Sequence, residues 1–377
     1  MSLIHPQKEC EVTKSVLLYG NDKGAMTVLQ AVEQAAQATE FGELNLYRIQ
    51  GDNVPVSEED WGRLATSDAV IFGISSGMPE ALLASWALGK NPALAGKIFF
   101  MEDFPGSSGI HSDVLKGIGK QLRLCSILPL PLDAPERDVY GAVHTVGCPD
   151  HWVPSMRQIQ EGTTARQGAT LRKRRRGMEE AVSLSPNELV VYVTGFKDPV
   201  MELKALRHLR SLSSMEGPPF LVHFRAHPGE RANPKLAEAI LERDALLQGD
   251  WEIVVPPHVD QKLVEPWMIG VADVTVVFSG STSQFWGAAA RKKMVCPREF
   301  ELGRTTKTSS YDYALVERSV HVVKRVDELG GAIGALVVKN SPEAAALLAK
   351  QEKNAFSFGD DDGVSHGKNV LQLVKDS

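Results

Sequence analysis

The stretch Val274-Thr275-Val276-Val277-Phe278-Ser279-Gly280-Ser281-Thr282-Ser283-Gln284 decides the fold. Its first five residues are β-branched or aromatic and read as a buried strand ending at Phe278. Small residues turn the chain, and residues 281–290 then have helical character. A strand that passes through one short turn into a helix is the repeating unit of a parallel sheet covered on both faces.

The same unit recurs outward from this point. In the second half, strands are expected at 189–194, 220–225, 251–255 and 294–296. Helices are expected at 200–214, 234–247 and 261–271. In the first half, strands are read at 15–19, 44–49, 69–74, 98–101 and 143–146. Helices lie between them at 25–38, 57–65 and 79–88. Met26, Leu29, Val32 and Ala35 fall on one face of the first helix. Ser57, followed by Glu58 and Glu59, reads as an N-cap with acids in the first turn. The expected fold class is α/β, with two Rossmann-like domains facing a central cleft. Residues 1–150 form the first domain and 188–355 the second. Residues 151–187, polar and poor in strand signals, read as a connecting helix and linker. Residues 356–377 read as a closing helix that packs back towards the first domain.

Composition narrows the class. The 377 residues are 43% hydrophobic and 23% charged, ordinary for a chain with a sizeable core. No apolar run reaches the ~18 residues of a membrane span. The N-terminal residues lack the apolar centre of a signal peptide, so a cytoplasmic protein is expected. Cys10, Cys125, Cys148 and Cys296 lie far apart and read as reduced thiols, with no metal expected. A formal net charge of −6 argues against a general nucleic-acid binder. The basic run Arg172-Lys173-Arg174-Arg175-Arg176 reads as a solvated linker, an anionic partner being the alternative. Nothing fixes an oligomeric state, and a homo-oligomer stays open.

Parallel sheets bind ligands outside the carboxyl ends of their strands. At 278–284, Gly280 lets backbone approach a ligand, while Ser279, Ser281 and Thr282 offer hydroxyls. The free N–H groups of the helix start favour an anion, and together these suit a diphosphate. A Ser-rich helix cap is the plainer alternative. Arg225 and His227 close another strand, where the imidazole can meet a phosphate or act as acid or base. Gly195 turns the chain after the strand 189–194. In the first half, Glu102 and Asp103 set two carboxylates after a strand, suited to a base or to binding hydroxyls, or else to a solvated loop.

The order of these motifs resembles the GT-B proteins, which include many glycosyltransferases and the non-hydrolysing UDP-N-acetylglucosamine 2-epimerases. Val143-His144-Thr145-Val146-Gly147-Cys148-Pro149-Asp150 resembles their V-x-G-N-P-x-x-D segment. Ser185-Pro186 with the strand into Thr194-Gly195 resembles their entry to the second domain. Ala226-His227-Pro228 resembles V-H-P, Ala272-Asp273-Val274 through Ser281 resembles A-D-x-V-x-T-D-S-G-G, and Phe358-Gly359-Asp360 with Gly363 resembles P-Y-G-D-G. The resemblance implies that Ser279, Gly280, Ser281 and His227 contact a nucleotide and its diphosphate. It departs where Ser283, Gln284 and Phe285 replace Gln-Glu-Glu. No acid stands at 73–76, Glu102 answers the E-A-G glutamate, and nothing after Gly109 answers the later one. At most one of three epimerase acids is therefore kept.

The resemblance implies a metal-independent transfer of a sugar from a nucleotide-sugar, UDP-linked in the first instance, to an unidentified acceptor. No cofactor is expected. Gly195, Arg225, His227, Ser279, Gly280, Ser281 and Thr282 would bind the donor, with Glu102 or Asp103 as acceptor base and His227 also available for acid–base work. A nucleotide-sugar epimerase or hydrolase, and a catalytically silent scaffold, are the rival expectations.

Overall fold

The alternating pattern folds into two parallel sheets, each in its own compact unit. The computed structural model describes residues 13–21, 23–37, 39–50, 57–74, 79–103, 114–127, 130, 136–147, 149, 152–168, 170–196, 199–213, 220–226, 234–278, 281–297, 320–338, 341–353 and 366–377.

The first unit is built on β1 (Lys14–Gly20), β2 (Leu44–Gln50), β3 (Ala69–Ile74), β4 (Ile98–Glu102), β5 (Leu122–Ser126) and β6 (Ala142–Thr145). All pair in parallel in the order β2-β1-β3-β4-β5-β6. Its helices are α1 (Lys23–Ala36), α2 (Glu58–Thr66), α3 (Pro79–Lys90) and the single turn α4 (Glu136–Val139). Every residue of β3 is buried, as a strand covered on both faces requires. Val16, Leu18, Ile71, Phe99 and Met101 join one core cluster with the apolar face of α1. The alternate residues carry rings across the other face. Tyr19–Phe72, Phe72–Phe100 and Phe100–Tyr140 lie 5.9, 5.3 and 6.2 Å apart between centroids. α2 starts at the expected cap: Ser57 Oγ accepts from the Asp60 N–H at 3.1 Å, and Asp60 answers in a capping box.

The second unit begins with α5 (Val153–Gln167), β7 (Arg172–Arg175) and β8 (Ala181–Ser183). It continues through β9 (Leu189–Val193), α6 (Pro199–Ser213), β10 (Phe220–Phe224), α7 (Ala237–Leu246), β11 (Trp251–Ile253), α8 (Val264–Val271), β12 (Val274–Val276), α9 (Thr282–Ala289) and β13 (Met294–Pro297). β14 (His321–Val323), α10 (Leu329–Val337) and α11 (Pro342–Lys353) follow. Five strands pair in parallel in the order β10-β9-β12-β13-β14.

Two expectations are corrected in this unit. The basic run 172–176 is not a solvated linker: most of it is β7, paired antiparallel with β8 and with β11. Its side chains have partners. Lys173 Nζ lies 2.7 Å from Glu188, Arg174 Nε lies 2.9 Å from Glu252, and Arg176 Nη2 donates to the Phe224 carbonyl at 2.8 Å. Arg175 stands over the Trp251 ring at 5.1 Å. For the same reason β11 leaves the parallel sheet in which it was expected. Its Trp251 and Glu252 are the partners that β7 needs, and they lie nearly eighty residues downstream, beyond the reach of local pattern.

α5 crosses α8 backbone to backbone. A Cβ on Gly162 would stand 2.2 Å from the Trp267 carbonyl, and one on Gly270 would stand 2.2 Å from the Ile159 carbonyl. The last helix, α12 (His366–Lys375), belongs to the first unit. Its Gly367 packs on α1, where a Cβ would lie 2.3 Å from the Ala31 carbonyl. Asn369 Nδ2 donates to the Val146 carbonyl at 2.8 Å, and Lys14 Nζ donates to that of Lys375 at 2.8 Å. Among the described residues no helix is long and apolar enough to cross a membrane.

Candidate functional site

In the second unit β9 lies between β10 and β12. The chain leaves β9 for β10 on one side and later comes back to β12 on the other. That reversal opens a crevice outside the carboxyl ends of β9 and β12, where parallel sheets take ligands. Two turns border it. Thr194, Gly195 and Phe196 follow β9, Val277 and Phe278 follow β12, and Ser281 stands at the start of α9.

The turns are tied together. The Thr194 N–H donates to the Val276 carbonyl at 3.0 Å, and the Phe196 ring stacks on Phe278 at 5.3 Å with 28° between planes. Ser281 caps α9 in extended conformation, its side chain accepting from the Ser283 N–H at 3.3 Å. The Ser281 and Gln284 N–H groups donate to the Phe278 and Ser281 carbonyls at 3.3 and 3.2 Å, so the positive end of the helix dipole is what the start of α9 offers an anion. Thr194 is fully buried, and its Oγ1 meets no hydrogen-bond partner.

Charged groups stand at the same edge. Arg225, directly after β10, is half-buried and donates from Nη2 to the Gln261 carbonyl at 2.7 Å. Glu265 lies in the first turn of α8. Because α8 runs down into β12, its N-terminus sits at the edge where β12 ends. Glu265 accepts a hydrogen bond from Ser283 Oγ. Burial raises its pKa above the usual carboxylate range, opposed by that hydrogen bond and by Arg225. Sequence reasoning missed Glu265. An acid in a first helical turn reads as an ordinary dipole partner, and only the fold carries it to Ser283.

In the first unit Glu102 ends β4 and is fully buried. Its Oε2 accepts from Ser126 Oγ at 3.0 Å and from the Ile127 N–H at 3.1 Å, tying β4 to the end of β5. Burial pushes the neighbouring Cys125 thiol up to about 12, with the charge of Glu102 adding to it. Asp103, one residue on, is half-buried. Two further acids were not singled out by sequence. Glu80 is buried in the first turn of α3; burial first, then Glu80, raises the Tyr19 phenol to about 12. Glu136 is buried at the start of α4, and burial, opposed by its own backbone N–H, raises its pKa.

The structure thus brings Gly195, Arg225 and Ser281 to the carboxyl edge of one sheet, and Glu102 and Asp103 to that of the other. His227, Ser279, Gly280 and the side chain of Thr282 lie outside the described residues. Among the described residues no group of three or more His, Cys, Asp or Glu side chains is placed to hold a metal ion.

No protein-family model matches the chain, and no curated protein matches it. Solved structures do. Staphylococcus aureus MnaA in complex with UDP is 12% identical, with 96% of each chain covered and a TM-score of 0.54. Acinetobacter baumannii MurG is 13% identical over 97% of this chain and 100% of its own, at a TM-score of 0.51. UDP-GlcNAc 2-epimerase from Neisseria meningitidis, bound to UDP-GlcNAc, is 10% identical over 97% and 100%, also at 0.51. This likeness shows the fold: the chain has the GT-B architecture of two Rossmann-like units.

Proposed function

We propose that the chain is a metal-independent glycosyltransferase whose second unit binds a UDP-linked sugar. One observation carries this reading. The capped start of α9 lies at the switch between β9 and β12, beside a fully buried Thr194 hydroxyl that has no partner. A buried unmatched hydroxyl is costly unless a ligand completes it. In this reading the positive end of α9, Ser281 and the backbone at Gly195 hold the diphosphate, with Arg225 supplying positive charge. Ser279, Gly280, Thr282 and His227 join them on the strength of the motif order. Helix dipole and cation together stabilise the leaving diphosphate without a metal. Glu265, oriented by Ser283, offers its carboxyl to the ribose hydroxyls.

The acceptor base is assigned to Asp103 rather than Glu102. Both donors at Glu102 are internal and it has no exposure, whereas Asp103 keeps solvent access. Thermal-shift measurements with UDP, GDP and CDP, and then assay of UDP release from UDP-sugars with and without candidate acceptors, test the reading. Selective stabilisation by UDP and acceptor-dependent release support it. Release without an acceptor marks a hydrolase, isomerised sugar marks an epimerase, and no shift with any nucleotide overturns it.

A further inference from the structure

Glu202 and Arg243 are both fully buried and face each other, with Arg243 Nη1 2.6 Å from Glu202 Oε2. Taking two charges out of water is expensive, and apolar residues of similar volume commonly fill such a place at no loss of stability. What they cannot do is accept a hydrogen bond. Glu202 Oε1 accepts the Phe196 N–H, in the turn after β9. The Phe196 ring stacks on Phe278, which enters the turn after β12. The Arg243 guanidinium stands 4.7 Å over the ring of Phe224, the last residue of β10, directly before Arg225. One buried ion pair therefore reaches the ends of β9 and β12, which border the crevice, and of the neighbouring β10.

We propose that Glu202 and Arg243 are positioning residues that hold residues 194–196, 224–226 and 276–278, where β9, β10 and β12 end, in the geometry of the candidate nucleotide site. What that site binds rests on the glycosyltransferase reading above; which turns are held does not. Arg243 fixes the carboxylate, the carboxylate fixes the Phe196 amide, and the ring stack passes that constraint to the entry of α9. Preorganisation of this kind strengthens binding without touching the ligand.

The test is the double variant Glu202→Leu/Arg243→Met, which removes both charges and the acceptor of the Phe196 N–H and leaves neither charge buried alone, beside Arg243→Lys, which keeps the cation. Hydrogen exchange, read segment by segment, is compared with the affinity for UDP. Faster exchange confined to residues 194–196, 224–226, 276–278 and 281–283, with β13 unchanged, is expected in the double variant. UDP affinity falls about tenfold as the turns lose their preorganised geometry, and Arg243→Lys recovers part of both effects. Exchange that stays as in the parent chain, or that rises throughout the second unit, overturns the proposal. If the parent chain binds no UDP, the nucleotide reading fails, and the exchange pattern still decides whether the pair positions these turns.

Discussion

His223 gives the sharpest test of how the second unit is packed. It lies on β10, buried, with Nδ1 accepting the Ile253 N–H at 3.1 Å and its ring 5.8 Å from that of Tyr192. Burial, then the cations Arg176 and Arg225, pushes its pKa from 6.5 down to about 3. The folded chain therefore keeps the ring neutral while the unfolded chain takes up a proton below 6.5. The contribution to stability is complete above 6.5 and is lost as pH falls from there towards 3, at about 1.4 kcal/mol per pH unit. At pH 4.5, two units below the free value, the loss is about 2.7 kcal/mol. His223→Asn keeps an acceptor near the Nδ1 position and removes the titration. It costs about 1–2 kcal/mol at pH 7 for the lost ring volume. Urea unfolding of both proteins at pH 7.0 and 4.5, monitored by tryptophan fluorescence, measures the gap between them. Carboxyls with raised pKa, such as Glu265, titrate in both proteins and cancel in the difference. The variant should gain about 2.7 kcal/mol on the parent chain as pH drops. An equal gap at the two pH values refutes the assignment.

Three further outcomes are expected. Gly162→Ala drives a methyl against the Trp267 carbonyl, where both sides are backbone, so the second unit should lose about 2–3 kcal/mol in urea unfolding. Asp103→Asn should lower turnover by about 10²–10⁴ with UDP affinity unchanged, as the loss of a general base requires; equal loss of binding and turnover would mark Asp103 as structural. Glu102→Gln, by contrast, replaces an acceptor of two buried hydrogen bonds and should cost about 1–3 kcal/mol of stability, read by thermal melting of the first unit.

Much of the parallel framework was legible because its signal is local. The strand–turn–helix run at 274–290 and the all-apolar β3 each announce themselves within a few turns of chain. β5 did not: Leu122-Arg123-Leu124-Cys125-Ser126 is five residues long and carries a cation that settles over the Phe99 ring at 5.5 Å. α10 was hidden by Gly330, Gly331 and Gly334, which weaken helix propensity where tertiary packing of Leu329, Ile333 and Leu336 supplies the stability. The β7–β8–β11 sheet was illegible because its charges find partners far along the chain. In the site, turn residues such as Gly195 and Ser281 could be read from their place after strands. Glu265, Glu202 and Arg243 could not, since what distinguishes them is whom they meet, not where they stand in the sequence.

If the crevice between β9 and β12 binds a nucleotide, oxygens of that nucleotide complete the buried Thr194 hydroxyl. Calorimetric titration of UDP into the parent chain and into Thr194→Val tests this directly. Valine keeps the shape and removes an unmatched buried hydroxyl, so stability should stay level or rise by up to about 1 kcal/mol. UDP affinity should nevertheless fall about tenfold, the worth of one buried hydrogen bond to a charged oxygen. Undiminished UDP binding by Thr194→Val, or no binding by the parent chain, would contradict the nucleotide assignment.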